Sequence, residues 1–389
     1  MVIRWIVATL GLALAALLAS ITFVIAWADI PPRLIPLSLL VSNFGLYLLP
    51  VGLLGLGISA ILLQQRNARV LRIVGKLVGI VCVIAMIAAC FPLVASWREA
   101  HRRGAELSVL DYLTGGSNSG KPMESMSTTY ATVDGTNLLL DPKLPSRAAE
   151  SPRPAVVWVH GGGWSEGDRG EAPRWHKWLN DKGYAVFAIE YRLAPPPRWN
   201  QAPGDVKCAV GWVKQHAREF GVDPERVMLA GGSAGGNLAL LGGYADDRVP
   251  PSCPVGDTSV RAVAAFYPPA DLALGYRDSG DPEYARKALR DYIGGTPEEF
   301  PDRYAAASPI TYVRPGVPPT LLLHGTRDHI VAYAQSALLA EKLKTAGVQH
   351  DLLPIPYGDH VYDFSWGDWG TQISRQVFAR FLDRHFPAA

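Results

Sequence analysis

Charge is what the first hundred residues lack. Trp5 to Trp27, Leu34 to Leu63 and Leu77 to Trp97 hold no Asp, Glu, Lys or Arg, and each is long enough to cross a hydrocarbon core of about 30 Å at roughly 1.5 Å per residue. No ionisable residue stands at mid-span to mark an ion or proton path, which argues against a transport role. Basic clusters are equally scarce. The net charge is +2 from 37 basic and 35 acidic residues, with no basic run beyond Arg102-Arg103, so the footprint of a nucleic-acid binder is missing. The nine histidines are scattered and none sits at paired ligand spacing, so no metal site is expected. Of four cysteines, Cys82 and Cys90 lie in an apolar run, while Cys208 and Cys253 stand singly without metal-ligand spacing. Whether the last two pair as a disulfide stays open.

What is abundant is apolar residue, 49% of 389 with a mean hydropathy of +0.10. The excess lies at the N-terminus. Residues 1–103 are expected to be a membrane region of three transmembrane helices, the second interrupted by Pro36 and Pro50 and the third containing Pro92. A cleaved signal peptide is the competing account of the first run, since Arg4 precedes it and Ala26-Trp27-Ala28 resembles a cleavage site; its length favours an uncleaved helix. Gly11, Ala15 and Ala19 recur every fourth residue, a stripe that lets helices approach closely. Arg66, Arg69 and Arg72, with Lys76 close by, occupy the loop between runs two and three, on the side of Arg4, whereas the first loop carries only Arg33. This bias places the N-terminus inside and the C-terminal domain outside the cytoplasm; Arg98, Arg102 and Arg103 weigh the other way.

Residues 104–127 read as a linker, polar and glycine-rich at Gly115 to Gly120. Leu107, Leu110 and Leu113 are at helical spacing within it, for a short helix lying along the membrane or packing on the domain. From 128 to 389 the pattern changes. Thr129 to Val133 and Asn137 to Leu140 form a hairpin signal around Asp134-Gly135. Apolar runs then follow at Ala155 to Val159, Ala185 to Ile189, Val227 to Ala230, Val260 to Phe266, Thr320 to Leu323 and His350 to Ile355, separated by helix-length segments. Continuous apolar strands are buried on both faces, so a mostly parallel sheet with helices on either side is expected. Reactive groups in such sheets collect at the carboxyl ends of the strands.

Val227 to Asn237, VMLAGGSAGGN, puts Ser233 in G-x-S-x-G between an apolar run and a helical face. A nucleophile elbow holds its serine on such a strand-to-helix turn, although a glycine-rich turn with an incidental serine gives the same pentapeptide. After Val159 come His160-Gly161-Gly162-Gly163-Trp164, whose bare backbone N–H groups suit a developing oxyanion, with the Ala234 N–H as a further donor. Asp328 follows the run at Thr320, and His360 the run at His350. The order Ser233, Asp328, His360 suits a nucleophile served by later strands. His324 and His329 remain alternative bases; Asp359 is poorly placed to orient the ring beside it. The segment of about 271–319 is an insertion that either caps the pocket or packs, and Trp164, Trp199 and Tyr267 are candidate pocket walls.

With HGGGW at 160–164, EYRLAP at 190–195, GGSAGG at 231–236, HGTRD at 324–328 and GDH at 358–360, the chain from about Thr128 resembles α/β-hydrolase esterases of the hormone-sensitive-lipase-like and bacterial feruloyl-esterase-like group. The resemblance implies an α/β-hydrolase fold, a triad of Ser233, Asp328 and His360, oxyanion donors at Gly162, Gly163 and Ala234, and no cofactor. Gly232 stands where many relatives carry an acidic residue, and Pro196 where a glutamate follows YRLAP, so specificity is not carried over. The N-terminal runs look like those of membrane-attached actinobacterial esterases. The expectation is a multi-pass membrane serine hydrolase that cleaves a small-molecule or lipid ester through an acyl-enzyme. An acyltransferase with the same triad, or a non-catalytic binding protein that kept the fold, are the alternatives.

Overall fold

A computed structural model of the chain describes residues 2–65, 67–119, 126–146 and 151–387. Arg66 and residues 120–125 of the expected linker lie outside the described residues. The chain divides into two compact units, Met1–Gly115 with Ile355–Ile373, and Gly116–Pro354 with Ser374–Ala389.

The first unit contains α1 (Val2–Ala26), α2 (Ile35–Phe44), α3 (Leu48–Leu63), α4 (Arg69–Arg103) and α5 (Val109–Thr114). Among the described residues, three stretches are long and apolar enough to cross a membrane, Val2–Ala26, Pro32–Leu63 and Arg69–Arg103. Between Leu77 and Phe91 the outward side chains of α4 are apolar, among them Leu77, Ile80, Ile84, Ile87 and Phe91, a surface that water would not tolerate at this extent. Pro92 sits inside α4 without ending it. Arg69, Arg72 and Lys76, expected in a loop, belong to the first turns of that helix. A 35-residue helix is roughly 50 Å long, so its basic ends have length to spare beyond the apolar centre. The small-residue stripe on α1 also differs from expectation. Ala8, Gly11 and Ala15 are buried while Ala19 is exposed, because a strict four-residue spacing drifts about 40° per step around a helix of 3.6 residues per turn. In α5, Tyr112 is buried, whereas Leu110 and Leu113 are exposed.

The second unit is organised on eight strands: β1 (Thr128–Val133), β2 (Thr136–Lys143), β3 (Arg153–Val159), β4 (Ala185–Ile189), β5 (Val222–Gly232), β6 (Ala262–Phe266), β7 (Thr320–Gly325) and β8 (His350–Ile355). Their order in the sheet is β1-β2-β4-β3-β5-β6-β7-β8. The first two strands form the expected hairpin, with Asp134 and Gly135 both at positive φ, 51° and 76°, the conformation that a two-residue type I′ turn requires. β2 runs antiparallel to β4; the pairs from β4 through β7 are parallel. Every residue of β4, β6 and β7 is buried, which accounts for the absence of alternation in their sequences. The helices are α6 (Pro173–Asp181), α7 (Ala202–Gln215), α8 (Ala234–Tyr244), α9 (Leu272–Asp278), α10 (Pro282–Ile293), α11 (Pro301–Ala306), α12 (Ala334–Thr345) and α13 (Trp369–His385). This is the α/β-hydrolase architecture, a mostly parallel sheet between helices.

Two links brace this unit. Cys208 and Cys253 form a disulfide, with Cα atoms 5.5 Å apart. Arg192, after β4, grips the fully buried Asp205 of α7 through Nη2 to Oδ1 at 2.7 Å and Nε to Oδ2 at 3.0 Å. The Arg192 backbone N–H donates to the same carboxylate at 3.0 Å. Two fork contacts and an amide bond on one carboxylate fix the path of the chain out of β4.

Candidate active site

Ser233 stands between the end of β5 and the first residue of α8 with φ 54° and ψ −122°. A non-glycine residue in this region costs of order 1–3 kcal/mol and persists only where its surroundings enforce it. Here the Ser233 N–H donates to Phe266 O at 2.9 Å and its carbonyl accepts from Asn237 N at 3.0 Å. The neighbouring glycines are equally constrained. A Cβ on Gly235 would sit against the carbonyl oxygens of Val159 and His160 at distances that real Cβ atoms do not show, and one on Gly231 would lie 2.5 Å from Val159 O. The pentapeptide is thus a true strand-to-helix elbow pressed against the end of β3.

The loop after β3 is the other half of the site. Gly162 and Gly163 have φ of 97° and 57°, and a Cβ at Gly161 would come 3.5 Å from the Ser233 Cβ. The Gly161 N–H is taken by Glu171 Oε2 at 2.7 Å. Among the described residues no acceptor takes the N–H of Gly162, Gly163 or Ala234. His160 is buried, its ring stacked on Tyr191 with centroids 4.4 Å apart, and burial lowers its pKa. Trp164 stacks on Tyr292 at 4.6 Å and donates Nε1–H to Asn237 Oδ1 at 3.3 Å. The same asparagine donates to Pro269 O and Ala307 O at 2.9 and 3.1 Å, tying the oxyanion loop, the elbow helix and the inserted segment together.

A cleft enclosing about 550 Å³, part of it open to solvent, lies over the serine. Ser233, Gly163 and Trp164 line it, together with the apolar Leu272, Ala285 and Leu289 of the inserted segment and Ile330 and Val331. Trp164 therefore is a pocket wall, whereas Trp199 and Tyr267 are not among the lining residues. The inserted segment contributes to the lining from α9 and α10.

Asp328 follows β7 and is 7% exposed. Its Oδ1 accepts from the N–H of Ile330 and Val331 at 2.9 and 2.8 Å, so the loop that holds the carboxylate also borders the cleft. His324, considered above as a base, is fully buried. Its Nδ1 is 2.7 Å from Ser336 Oγ and its Nε2 is 2.8 Å from Val331 O. Its Nε2 also lies 3.3 Å from Asp328 Oδ2, so both ring nitrogens are engaged by groups of the protein itself. His329 is 7% exposed. His360 follows β8, the sheet neighbour of β7, in the segment Ile355–Ile373 of the first unit. Its N–H donates to Asp359 Oδ1 at 2.7 Å, and the fully buried Asp359 thereby braces the backbone at His360. Glu171 and Asn237 were not legible as site residues: one is an acid in a polar loop, the other a helix residue, and only the fold shows what each side chain touches.

Strand order, elbow and cleft define an α/β-hydrolase. The family model described as BD-FAE matches residues 140–343, and the chain belongs to that family. Esterase LipC of Mycobacterium tuberculosis is 33% identical over 241 residues, 60% of this chain and 59% of that protein. Esterase LipQ of the same organism is 31% identical over 255 residues, 64% and 58% of the two. The chain thus spans under three-fifths of the length of these curated relatives. Among solved structures, Thermogutta terrifontis esterase 2 phosphonylated by sarin has a TM-score of 0.59 at 28% identity, covering 68% of this chain and 96% of the other. The propionate-bound form of that esterase has a TM-score of 0.57 at 28% identity, covering 68% and 97%. The resemblance to hormone-sensitive-lipase-like esterases inferred from the motifs is borne out by these relatives.

Proposed function

We propose that the protein is a membrane-anchored serine carboxylesterase that works through an acyl-enzyme. The observation that carries this is the elbow: Ser233 at φ 54°, lining an apolar cleft together with Gly163. In the proposed reaction Ser233 Oγ attacks the ester carbonyl carbon while its proton passes to His360. The backbone N–H groups of Gly162, Gly163 and Ala234 receive the oxyanion. Collapse expels the alcohol, which takes the proton from His360; water then repeats the sequence in reverse to free the acid and Ser233. Asp328 holds the imidazole in the correct tautomer and stabilises its cation.

The apolar walls suit the acyl chain, and the solved relative carries propionate in one structure and butyrate in another; short acyl esters are the proposed substrates. The three long apolar stretches are the proposed anchor, with the N-terminus inside and the hydrolase outside. Support for that side comes from the disulfide, since such bonds persist in oxidising compartments. A reporter fused at the C-terminus should accordingly signal from outside the cytoplasm; a cytoplasmic signal reverses the assignment.

The test is hydrolysis of p-nitrophenyl esters from acetate to palmitate by the full-length protein. Turnover is expected to peak between acetate and butyrate, and absence of turnover along the whole series overturns the proposal. One variant probes the oxyanion loop separately. Glu171→Ala removes the carboxylate that holds the Gly161 N–H, and a loop displaced by a fraction of an ångström costs catalysis more than binding. A fall in kcat of about 10- to 100-fold with KM nearly unchanged is expected; an unchanged kcat removes Glu171 from the account.

A further inference from the structure

The segment Ile355–Ile373, which carries His360, groups with the N-terminal helices, and its contacts there are specific on both sides of the histidine. Three residues before it, Tyr357 packs on the apolar cluster of Ile21, Ile25, Val41, Leu48 and Ala89 contributed by α1 to α4. Five residues after it, the Ser365 N–H donates to Asn43 Oδ1 of α2 at 2.9 Å, a buried bond. The Asn43 side chain is itself fixed, Nδ2 donating to Leu39 O at 3.0 Å. Beyond, Tyr112 of α5 accepts from Leu46 N at 3.2 Å, meets Trp369 edge-on with ring centroids 6.1 Å apart, and lines one cavity with the buried Asp368. Gln372 closes the segment, its Oε1 accepting from Ser108 N and its Nε2 donating to Ser108 O, both at 2.8 Å.

Local preference does not hold this segment in shape. Tyr357 and Val361 have φ of 57° and 49°. For a β-branched residue such as Val361 that is an outlier, maintained only by surrounding contacts. Asn43 of α2, Ser108 at the head of α5 and Tyr112 of α5 are among the groups that contact it. An asparagine with its amide committed to its own helix and its carbonyl to a loop amide is an expensive thing to bury in an apolar bundle unless the loop bond matters.

We propose that the apolar N-terminal helices are a working part of the hydrolase, in which Asn43 and Tyr112 are positioning residues that set the geometry of the His360 loop. This rests on His360 being the general base. Neither residue touches substrate; each acts through the segment 355–373.

The experiment uses full-length protein in lipid nanodiscs, with Asn43→Leu, Tyr112→Phe and His360→Ala, singly and with His360→Ala combined with each of the other two. The readouts are kcat and KM for p-nitrophenyl butyrate and the rate of fluorophosphonate labelling. Asn43→Leu is near-isosteric and deletes the acceptor for the Ser365 N–H. Tyr112→Phe removes one oxygen only, so it decides the matter should Asn43→Leu not fold. Each is expected to lower kcat and labelling rate about 10- to 100-fold with KM within about threefold, and to cause no further loss when His360 is already alanine, because residues that act through one group are not additive. A kcat within twofold of the parent for the folded variants overturns the proposal, as does an equal loss in the His360→Ala background. Should His360→Ala itself keep full activity, the base assignment fails instead, and this inference with it.

Discussion

Ser233→Ala is expected to lower kcat on p-nitrophenyl butyrate by about 10⁴- to 10⁶-fold without unfolding the protein. Loss of a catalytic serine removes the covalent route altogether, and what survives is the acceleration that binding and an oxyanion hole give an attacking water. The fold should tolerate the change. Removing one oxygen at the head of α8 leaves the backbone bonds of Ser233 to Phe266 and Asn237 in place, and the elbow is shaped by the close approach at Gly231 and Gly235, not by the hydroxyl. Thermal midpoints of the two proteins should agree within about 2 °C, since a change of 1 kcal/mol moves a chain of this size by only a few degrees. Retention of more than a tenth of the activity would remove Ser233 from its role.

The largest effect on stability is expected from Asp205→Ala. Arg192 is buried at 8% exposure, and Asp205 provides both the fork contacts and the amide acceptor. Its other partner, Asp134, has a side chain 77% exposed, and a pair at such a surface is worth at most about 1 kcal/mol. Stripping away the buried carboxylate leaves an uncompensated buried charge, at a cost of about 3–5 kcal/mol. A fall of the melting midpoint by roughly 10 °C follows, read by circular dichroism on full-length protein in detergent. Arg192→Met with Asp205→Leu should regain most of the loss, because neither charge then remains to be solvated. A midpoint within 2 °C of the parent for Asp205→Ala would show that the pair contributes little.

What was legible in the sequence was whatever is local. The parallel strands announce themselves as apolar runs, since a strand covered on both faces has no polar side to alternate with. The Asp134-Gly135 turn and the Ser233 elbow are short patterns in which backbone geometry dictates residue type. The three apolar stretches were visible as stretches without charge. Interruptions were harder to place: Pro36 and Pro50 fall in the first turns of α2 and α3, whereas Pro92 lies inside α4 without ending it. The pairing of Cys208 with Cys253 needed the third dimension. So did Asn43, which in the sequence is one polar residue in an apolar run and in the fold bonds a residue 322 positions away. Likewise the N-terminal segments and Ile355–Ile373 share no sequence signal that would place them in one unit.

Peptide mapping of the diethylphosphoryl adduct tests the central claim most directly. Thermogutta terrifontis esterase 2 is known in a form phosphorylated by paraoxon, and the same reagent on this protein should attach one diethylphosphoryl group, with p-nitrophenolate leaving and activity lost in proportion. The account predicts that mass spectrometry finds this group on Ser233 and nowhere else. Inactivation with the label on another residue, or full esterase activity with no label at all, would contradict it.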